Sequence, residues 1–258
     1  MKAMVLDRFG GPEVLHMAEI ERPAATPGQV VVQVGYASVN PADWKSREGW
    51  LAQYFQYQFS FVVGFDAAGV VAEMGEGVTG LNVGDRVVTP GNQGLGERGS
   101  YAEYVRSAAE RVIPLPAGVT LQQAATLPTA GMTAWKAVLD LGQAAPGKRV
   151  VVNGGAGGTG SFAVQLAKMA GAQVAATCSP RNFDYVRALG ADHVIDYRAG
   201  GVVEAIRAWA PEGVDLIVDT VGQGTFVDTI ETLKRGGIIC PIGTLIADEV
   251  PYDPARAE

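Results

Sequence analysis

Cysteine and histidine are scarce, with two of each in 258 residues. Cys178 and Cys240 cannot build a multi-disulfide framework or a four-cysteine zinc cluster. Charge is thin as well: charged residues make up 18 % of the chain, and the formal net charge is −7. No Lys/Arg block interrupts that acidic background, so no nucleic-acid partner is expected. No uncharged apolar run reaches the roughly 18 residues of a membrane helix. The opening Met1-Lys2-Ala3-Met4-Val5-Leu6-Asp7-Arg8 meets charge too soon for a secretory core. The sequence therefore predicts no membrane partner and a reducing, cytoplasmic location. What it does have is 48 % hydrophobic residues, enough to bury a full core in one large domain or two modest ones.

Glycine and proline are abundant, at 34 and 14, and their distribution divides the chain. Up to about residue 115 the segments are short and β-like, as over 30–34, 69–73 and 85–89. Turn residues separate them: Thr26-Pro27-Gly28, Gly75-Glu76-Gly77 and Pro90-Gly91-Asn92. That pattern predicts a compact, mostly-β domain or partial barrel over 1–124. From there the rhythm changes. Helices are expected over 122–125 and 130–141, the second ending at Gly142. Strands over 149–153, 173–177, 193–196, 214–219 and 237–241 then alternate with helices over 159–170, 182–189, 201–209 and 224–233. This β-α-β-α order predicts an α/β fold over 125–258, a doubly wound parallel sheet with helices on both faces.

The strongest local signal lies at the first of these strands, where Val150-Val151-Val152-Asn153-Gly154 runs into Gly155, Ala156, Gly157, Gly158, Thr159 and Gly160. Gly155-x-Gly157-x-x-Gly160 has dinucleotide spacing, a β-branched strand before it and a helical pattern after it. Glycines let the backbone approach a pyrophosphate, and the helix start offers free N–H groups and a positive dipole end. An NAD site usually places an acid about 20 residues on, for the ribose hydroxyls. Here that place reads Thr177-Cys178-Ser179-Pro180-Arg181-Asn182, without a carboxylate. Ser179 and Arg181 suit a 2′-phosphate, and Tyr197 is placed to lie against the adenine or reach that phosphate. The expected cofactor is NADPH.

Several motifs in order resemble the medium-chain dehydrogenase/reductase superfamily, in its zinc-independent quinone oxidoreductase and enone reductase branch. They are Phe9-Gly10-Gly11-Pro12-Glu13, Ser38-Val39-Asn40-Pro41-Ala42-Asp43-Trp44-Lys45 and Gly64-Phe65-Asp66-Ala67-Ala68-Gly69. Val83-Gly84-Asp85-Arg86-Val87, Leu127-Pro128-Thr129-Ala130-Gly131-Met132-Thr133 and Gly190-Ala191-Asp192-His193-Val194 follow. The resemblance implies a GroES-like catalytic domain and a Rossmann domain with the active site in the cleft between them. It also implies a sixth Rossmann strand and a return segment beyond Pro251-Tyr252-Asp253-Pro254, and a homodimer through that sixth strand.

Zinc members carry a Cys near the place of Asn40 and Gly-His-Glu where this chain has Gly64-Phe65-Asp66. Catalytic zinc needs three protein ligands, so no metal is expected. Reducing a C=C bond conjugated to a carbonyl needs hydride from NADPH and a donor or cation at the oxygen where charge grows. The resemblance implies that Asn40 and Lys45 are those groups, and that Thr129 and Thr133 lie against the nicotinamide and its ribose. Val221 and Ile242-Gly243-Thr244 end strands, where such folds bind ligands. Six aromatics between Trp50 and Phe61 offer either an apolar wall for a flat substrate or core packing. The expected substrate is a small quinone or α,β-unsaturated carbonyl. The alternatives are an NADPH-binding protein without turnover, like relatives recruited as lens crystallins, and an enoyl-thioester reductase.

Overall fold

A computed structural model describes residues 1–91, 98–222 and 224–243 of the chain. The expected turn residue Asn92, the strand-end residue Thr244 and the tail 251–258 lie outside the described residues. The chain forms two compact units, Met1–Thr129 and Ala130–Glu258. Among the described residues no helix is long and apolar enough to cross a membrane.

The first unit is mostly β. Strands β1 (Lys2–Leu6), β2 (His16–Glu19), β3 (Gln29–Tyr36), β4 (Phe61–Val62), β5 (Asp66–Met74), β6 (Arg86–Pro90), β7 (Tyr104–Ala108) and β8 (Ile113–Pro114) form two antiparallel sheets. Their orders are β2-β1-β4 and β7-β3-β5-β6-β8. β3 carries the run Val30-Val31-Val32, fully buried, between β7 and β5 in the larger sheet. Val30 and Val32 pack with Ala67, Val71, Val87 and Val105 from β5, β6 and β7. The β3–β5 pairing shifts register twice, which bends the sheet as bulges do. Gly69 sits within that irregular stretch, where a Cβ would stand 1.9 Å from the Gln33 carbonyl oxygen, so only glycine allows this approach. Helices α1 (Pro41–Arg47) and α2 (Leu121–Ala124) lie outside the sheets. α2 opens on Thr120, whose Oγ1 accepts the Gln123 N–H as an N-cap does.

In the second unit, strands β9 (Arg149–Asn153), β10 (Gln173–Cys178), β11 (His193–Asp196), β12 (Val214–Asp219) and β13 (Leu233–Pro241) form one parallel sheet. Its order is β11-β10-β9-β12-β13, the doubly wound arrangement the alternating pattern predicts. The period of two decides the layers. Val150 and Val152 of β9 face a core shared with Ala134, Val138, Ala163, Val164 and Val186. Val151 points the other way, into a core with Ile206, Ala210 and Ile217. Helices α4 (Gly158–Met169) and α5 (Phe183–Ala188) serve the first face and α6 (Val202–Trp209) the second. A continuous helical stretch precedes β9, with π-helical turns at Leu127–Gly131 and Lys136–Leu141 flanking α3 (Met132–Trp135).

Two adjoining expected elements differ, the last helix and the strand expected over 237–241, which begins at Leu233. The last helix, α7, spans Thr225–Ile230 rather than 224–233. Leu233 already belongs to β13 and pairs with Val214. The Thr232 carbonyl accepts the Val214 N–H at 2.9 Å, and Leu233 packs into the Val151–Ile206 core. Sheet pairing and burial override the helical pattern. The register then jumps from Val214↔Leu233 to Leu216↔Ile238, with Gly236 at φ 79° inside the bulge.

Leu216 is fully buried at the middle of β12, and its side chain touches the end of the π-turn, where even a Cβ on Gly142 would come within 2.4 Å of it. Leu216→Ala is expected to cost about 2–5 kcal/mol of stability, read as a lower urea midpoint at constant slope. A loss below about 1 kcal/mol would show that this core collapses freely around the cavity.

Candidate functional site

In the first unit, chain direction and burial bring three segments to one carboxylate. Asp66 opens β5 and is fully buried. Its Oδ1 accepts the Thr129 N–H at 2.9 Å and the Thr129 hydroxyl at 2.6 Å. Its Oδ2 accepts the Ser38 hydroxyl at 2.5 Å and Asn40 Nδ2 at 2.9 Å. Asn40 Nδ2 also lies 3.0 Å from Ser38 Oγ. Because a carboxylate oxygen accepts, the Asn40 amide nitrogen must face it, which fixes the amide orientation. The structure thus assembles Asn40 and Thr129, two of the expected site residues, on an acid that sequence reasoning treated only as a poor metal ligand.

Asn40 is also the N-cap of α1, with Pro41 at the first helical position, where its missing N–H costs nothing. Asp43 at the third position accepts the Asn40 N–H at 2.6 Å. Asp43 further accepts the Phe65 N–H at 3.0 Å and the Tyr101 hydroxyl at 3.0 Å. Burial pushes the Asp43 carboxyl above its ordinary range and the Asp66 charge adds to this, while the three donors pull it back. Burial, with the Asp43 charge beside it, likewise raises the Tyr101 phenol.

Lys45 stands in the last turn of α1, where a cation suits the helix C-terminus. It is half-buried, with its ammonium 5.7 Å from the centre of the Trp44 ring. Trp44 meets Trp50 edge-on at 5.1 Å. The aromatic segment splits between core and surface. Phe61 is buried and Tyr57 packs on it, with Phe9 beside them. Trp50, Tyr54, Phe55 and Phe59 remain exposed.

In the second unit, the glycine loop lies at the carboxyl end of β9, the central strand. Gly155 N–H donates to the Thr177 carbonyl at 2.9 Å, and Gly157 N–H to the Gly154 carbonyl at 2.9 Å. A Cβ on Gly160 would stand 2.1 Å from the Gly154 oxygen, so this glycine lets α4 start directly against the loop. Gly157 and Gly158 are exposed, and Gly157 caps α4 without a side-chain hydrogen bond. A Cβ on Gly158 would meet only Ala130 at 3.9 Å. The loop therefore presents bare backbone and uncapped N–H groups, a surface that fits a pyrophosphate. Ala156 turns into the core below and Thr159 is half-buried in the first turn of α4. Thr133, also half-buried, lies on α3, which packs against α4.

At the end of β10, Ser179 is buried and its Oγ accepts Asn182 Nδ2 at 3.3 Å. Arg181 is exposed in the turn Pro180–Asn182 that follows. Tyr197, after β11, is about half exposed, and the Arg198 guanidinium lies 5.7 Å from the centre of its ring. Arg198, not singled out from the sequence, adds an exposed cation beside Tyr197 at this strand end. Beyond β12, Asp219 is buried and holds the turn by accepting Gly222 N–H at 3.1 Å and Val221 N–H at 3.4 Å. Burial raises the Asp219 carboxyl above its ordinary range. Gly243 N–H donates to the Asp219 carbonyl at 3.3 Å, and a Cβ there would stand 2.5 Å from the Val221 carbonyl carbon. Val221 and Gly243 are thus brought side by side.

Among the described residues, no group of three or more His, Cys, Asp or Glu is arranged to hold a metal ion. The four oxygens of Asp43 and Asp66 are each met by at least one N–H or O–H donor. Those two carboxylates do not fit a zinc ion.

Two family models match the chain: an alcohol dehydrogenase GroES-like domain over residues 26–117 and a zinc-binding dehydrogenase over 158–257. The probable quinone oxidoreductase of Leishmania amazonensis is 35 % identical over 248 residues, covering 93 % of this chain and 70 % of that protein. The mitochondrial NAD(P)H oxidoreductase RTN4IP1 of Homo sapiens is 36 % identical over 256 residues, covering 91 % of this chain and 63 % of that protein. The solved quinone oxidoreductase of Coxiella burnetii superposes with a TM-score of 0.85 at 34 % identity, over 95 % of this chain and 76 % of that one. The chain spans between 61 % and 63 % of the length of several curated relatives.

The raised Asp43 carboxyl has a stability consequence. The folded state holds that proton more tightly than the unfolded chain does. Its contribution is therefore present below the ordinary carboxylate pKa of about 3.9 and lost as pH rises through the raised value. Urea unfolding of the wild type and Asp43→Asn between about pH 4 and 7 is expected to show the wild type losing stability relative to the variant, then levelling. A wild type that gains stability relative to the variant as pH rises would mean the carboxyl is depressed instead.

Proposed function

The chain belongs to the medium-chain dehydrogenase/reductase superfamily, in its quinone oxidoreductase branch, and from that premise we propose that it is a metal-independent, NADPH-dependent reductase. Its substrate is a quinone or the C=C bond of an α,β-unsaturated carbonyl. The observation that carries this reading is the bare glycine loop and uncapped start of α4 at the end of the central strand. There the backbone N–H groups of the first turn of α4 receive the pyrophosphate. Val221 and Gly243 flank the nucleotide at the neighbouring strand ends.

The choice of NADPH rests on the ends of β10 and β11. β10 ends in Cys178 and is followed by Ser179, with no carboxylate for ribose hydroxyls. Arg181 and Arg198 are exposed cations, and a 2′-phosphate accepts from guanidinium groups in charge-assisted bonds. Tyr197 offers an apolar face beside Arg198. Ser179 acts through Asn182, since it is buried against that side chain.

A bound reduced nicotinamide supplies the hydride. The chain's own part is at the oxygen where negative charge collects. The Lys45 ammonium provides a cation for that oxygen, and Asn40 turns an amide N–H to it. Trp44 and Trp50 give an apolar side to the same end of α1, which suits a flat conjugated ring. The proton that completes reduction comes from water or a hydroxyl.

Arg181→Ala is expected to weaken NADPH binding about 10-fold and to leave NADH binding unchanged; equal effects on both nucleotides would remove Arg181 from the 2′-phosphate. For the reaction, NADPH oxidation is followed by absorbance with a 1,4-quinone and a short 2-alkenal. Turnover by the wild type is expected to survive a chelator. Lys45→Ala is expected to lower kcat about 100-fold at unaltered NADPH affinity. A chelator-sensitive rate would sink the metal-independent reading, and an unchanged kcat would take Lys45 out of the chemistry.

A further inference from the structure

We propose that Asp66 is a positioning residue that sets the hydrogen-bonding sense of the polar groups around it, and thereby makes Thr129 a pure acceptor toward bound ligand. This rests on the reductase reading above. An ionised carboxylate only accepts. The hydroxyl protons of Thr129 and Ser38, at 2.6 and 2.5 Å, therefore point to Asp66. Thr129 has spent its only side-chain donor, and what remains on its oxygen is a lone pair. A ligand group seated on Thr129 Oγ1 must bring its own N–H or O–H. The carboxamide and ribose hydroxyls of a reduced nicotinamide are groups of that kind.

The same carboxylate decides what Asn40 can offer. Ser38 Oγ, Asn40 Nδ2 and Asp66 Oδ2 form a triangle with sides of 2.5, 3.0 and 2.9 Å. The shortest side faces the amide nitrogen, so the two acceptors subtend less than about 60° there, against the ~120° between the two amide hydrogens. One N–H is shared between them and the other is turned away. Asn40 thus keeps one N–H for a ligand, its carbonyl oxygen being turned to the Asp43 backbone N–H in the capping box of α1. With Asp66 in place the cluster presents a fixed pattern: acceptor at Thr129, donor at Asn40. Asp66 needs no contact with the ligand to impose it.

The amide of Asp66→Asn has the same shape but carries hydrogens on one side. Those hydrogens must face either Thr129 or the Ser38–Asn40 pair, and the hydroxyl or amide there has to turn. The full chain is titrated, by fluorescence, with NADPH and with adenosine 2′,5′-bisphosphate, which lacks both the nicotinamide and its ribose. Asp66→Asn is expected to lose about 10-fold in NADPH affinity with the fragment's affinity unchanged. Thr129→Val should behave likewise and Thr129→Ser should bind as the wild type does. Should Asp66→Asn fail to fold, the Thr129→Val and Thr129→Ser pair carries the test.

If NADPH binds the wild type and Thr129→Val equally well, or if the fragment weakens as much as NADPH, the inference is overturned and the reductase reading stands. If the wild type binds neither nucleotide, both fall together.

Discussion

A carboxylate taken out of water must be met by donors or give up its charge. Both units of this chain place that demand in the candidate site. Asp66 starts β5, Asp219 ends β12, and both are fully buried. Asp43 sits in the first turn of α1, also buried. Each is satisfied by backbone N–H groups, hydroxyls and amides. Such donors come from the loops themselves, so satisfying the acid also fixes the loop. The turn after β12 and the segments around Asn40 and Thr129 owe their conformations to this requirement. It resembles the work of a bound ion, done by a side chain.

Close backbone approach is the second constraint, and it makes two glycines irreplaceable in different ways. At Gly69 it lets β5 press against Gln33 and bend the larger sheet of the first unit. At Gly160 it lets α4 begin against Gly154 and leaves the loop open above. The two share a cause, the missing Cβ, and differ in effect: one shapes a core, the other exposes N–H groups. Glycine content alone could not distinguish them. Only the strand before and the helix after gave the second its meaning.

The second unit was the more legible because its signals are local. β9, β11 and β12 begin and end where the alternation of β-branched residues does, since strands buried on both faces read as continuous apolar runs. The first unit depends on distant pairings. β1 joins β2 and β4 across 11 and more than 50 residues, and β2 is largely exposed, so neither shows a clear period. Leu233 was read as helix because its apolar neighbours fit that spacing, and only its partner Val214 shows why it is strand. Ser179 looked like a ligand donor from its position, yet burial turned it inward. Asp66 was visible as a residue type and invisible as an organiser, because Ser38, Asn40 and Thr129 are 28, 26 and 63 positions away from it.

That distance also explains how the first unit can tune chemistry without disturbing its fold. The larger sheet's core is built of Val30, Val32, Val71, Val87 and Val105, whose packing does not depend on the direction of a hydroxyl proton. The Asp66 cluster lies at the start of β5, where side-chain donors rather than ladder hydrogen bonds settle the geometry. Reversing one donor there leaves apolar burial intact and changes what a ligand meets. The reverse holds at Gly160, where any side chain would strike the Gly154 oxygen and shift the start of α4. Small exchanges among Asp, Asn, Ser and Thr can therefore alter the carboxylate cluster without a change of shape, while Gly160 tolerates no side chain. The physical reason is the same in both cases: hydrogen-bond sense is carried by protons, which take no space, and close approach is carried by Cβ atoms, which do.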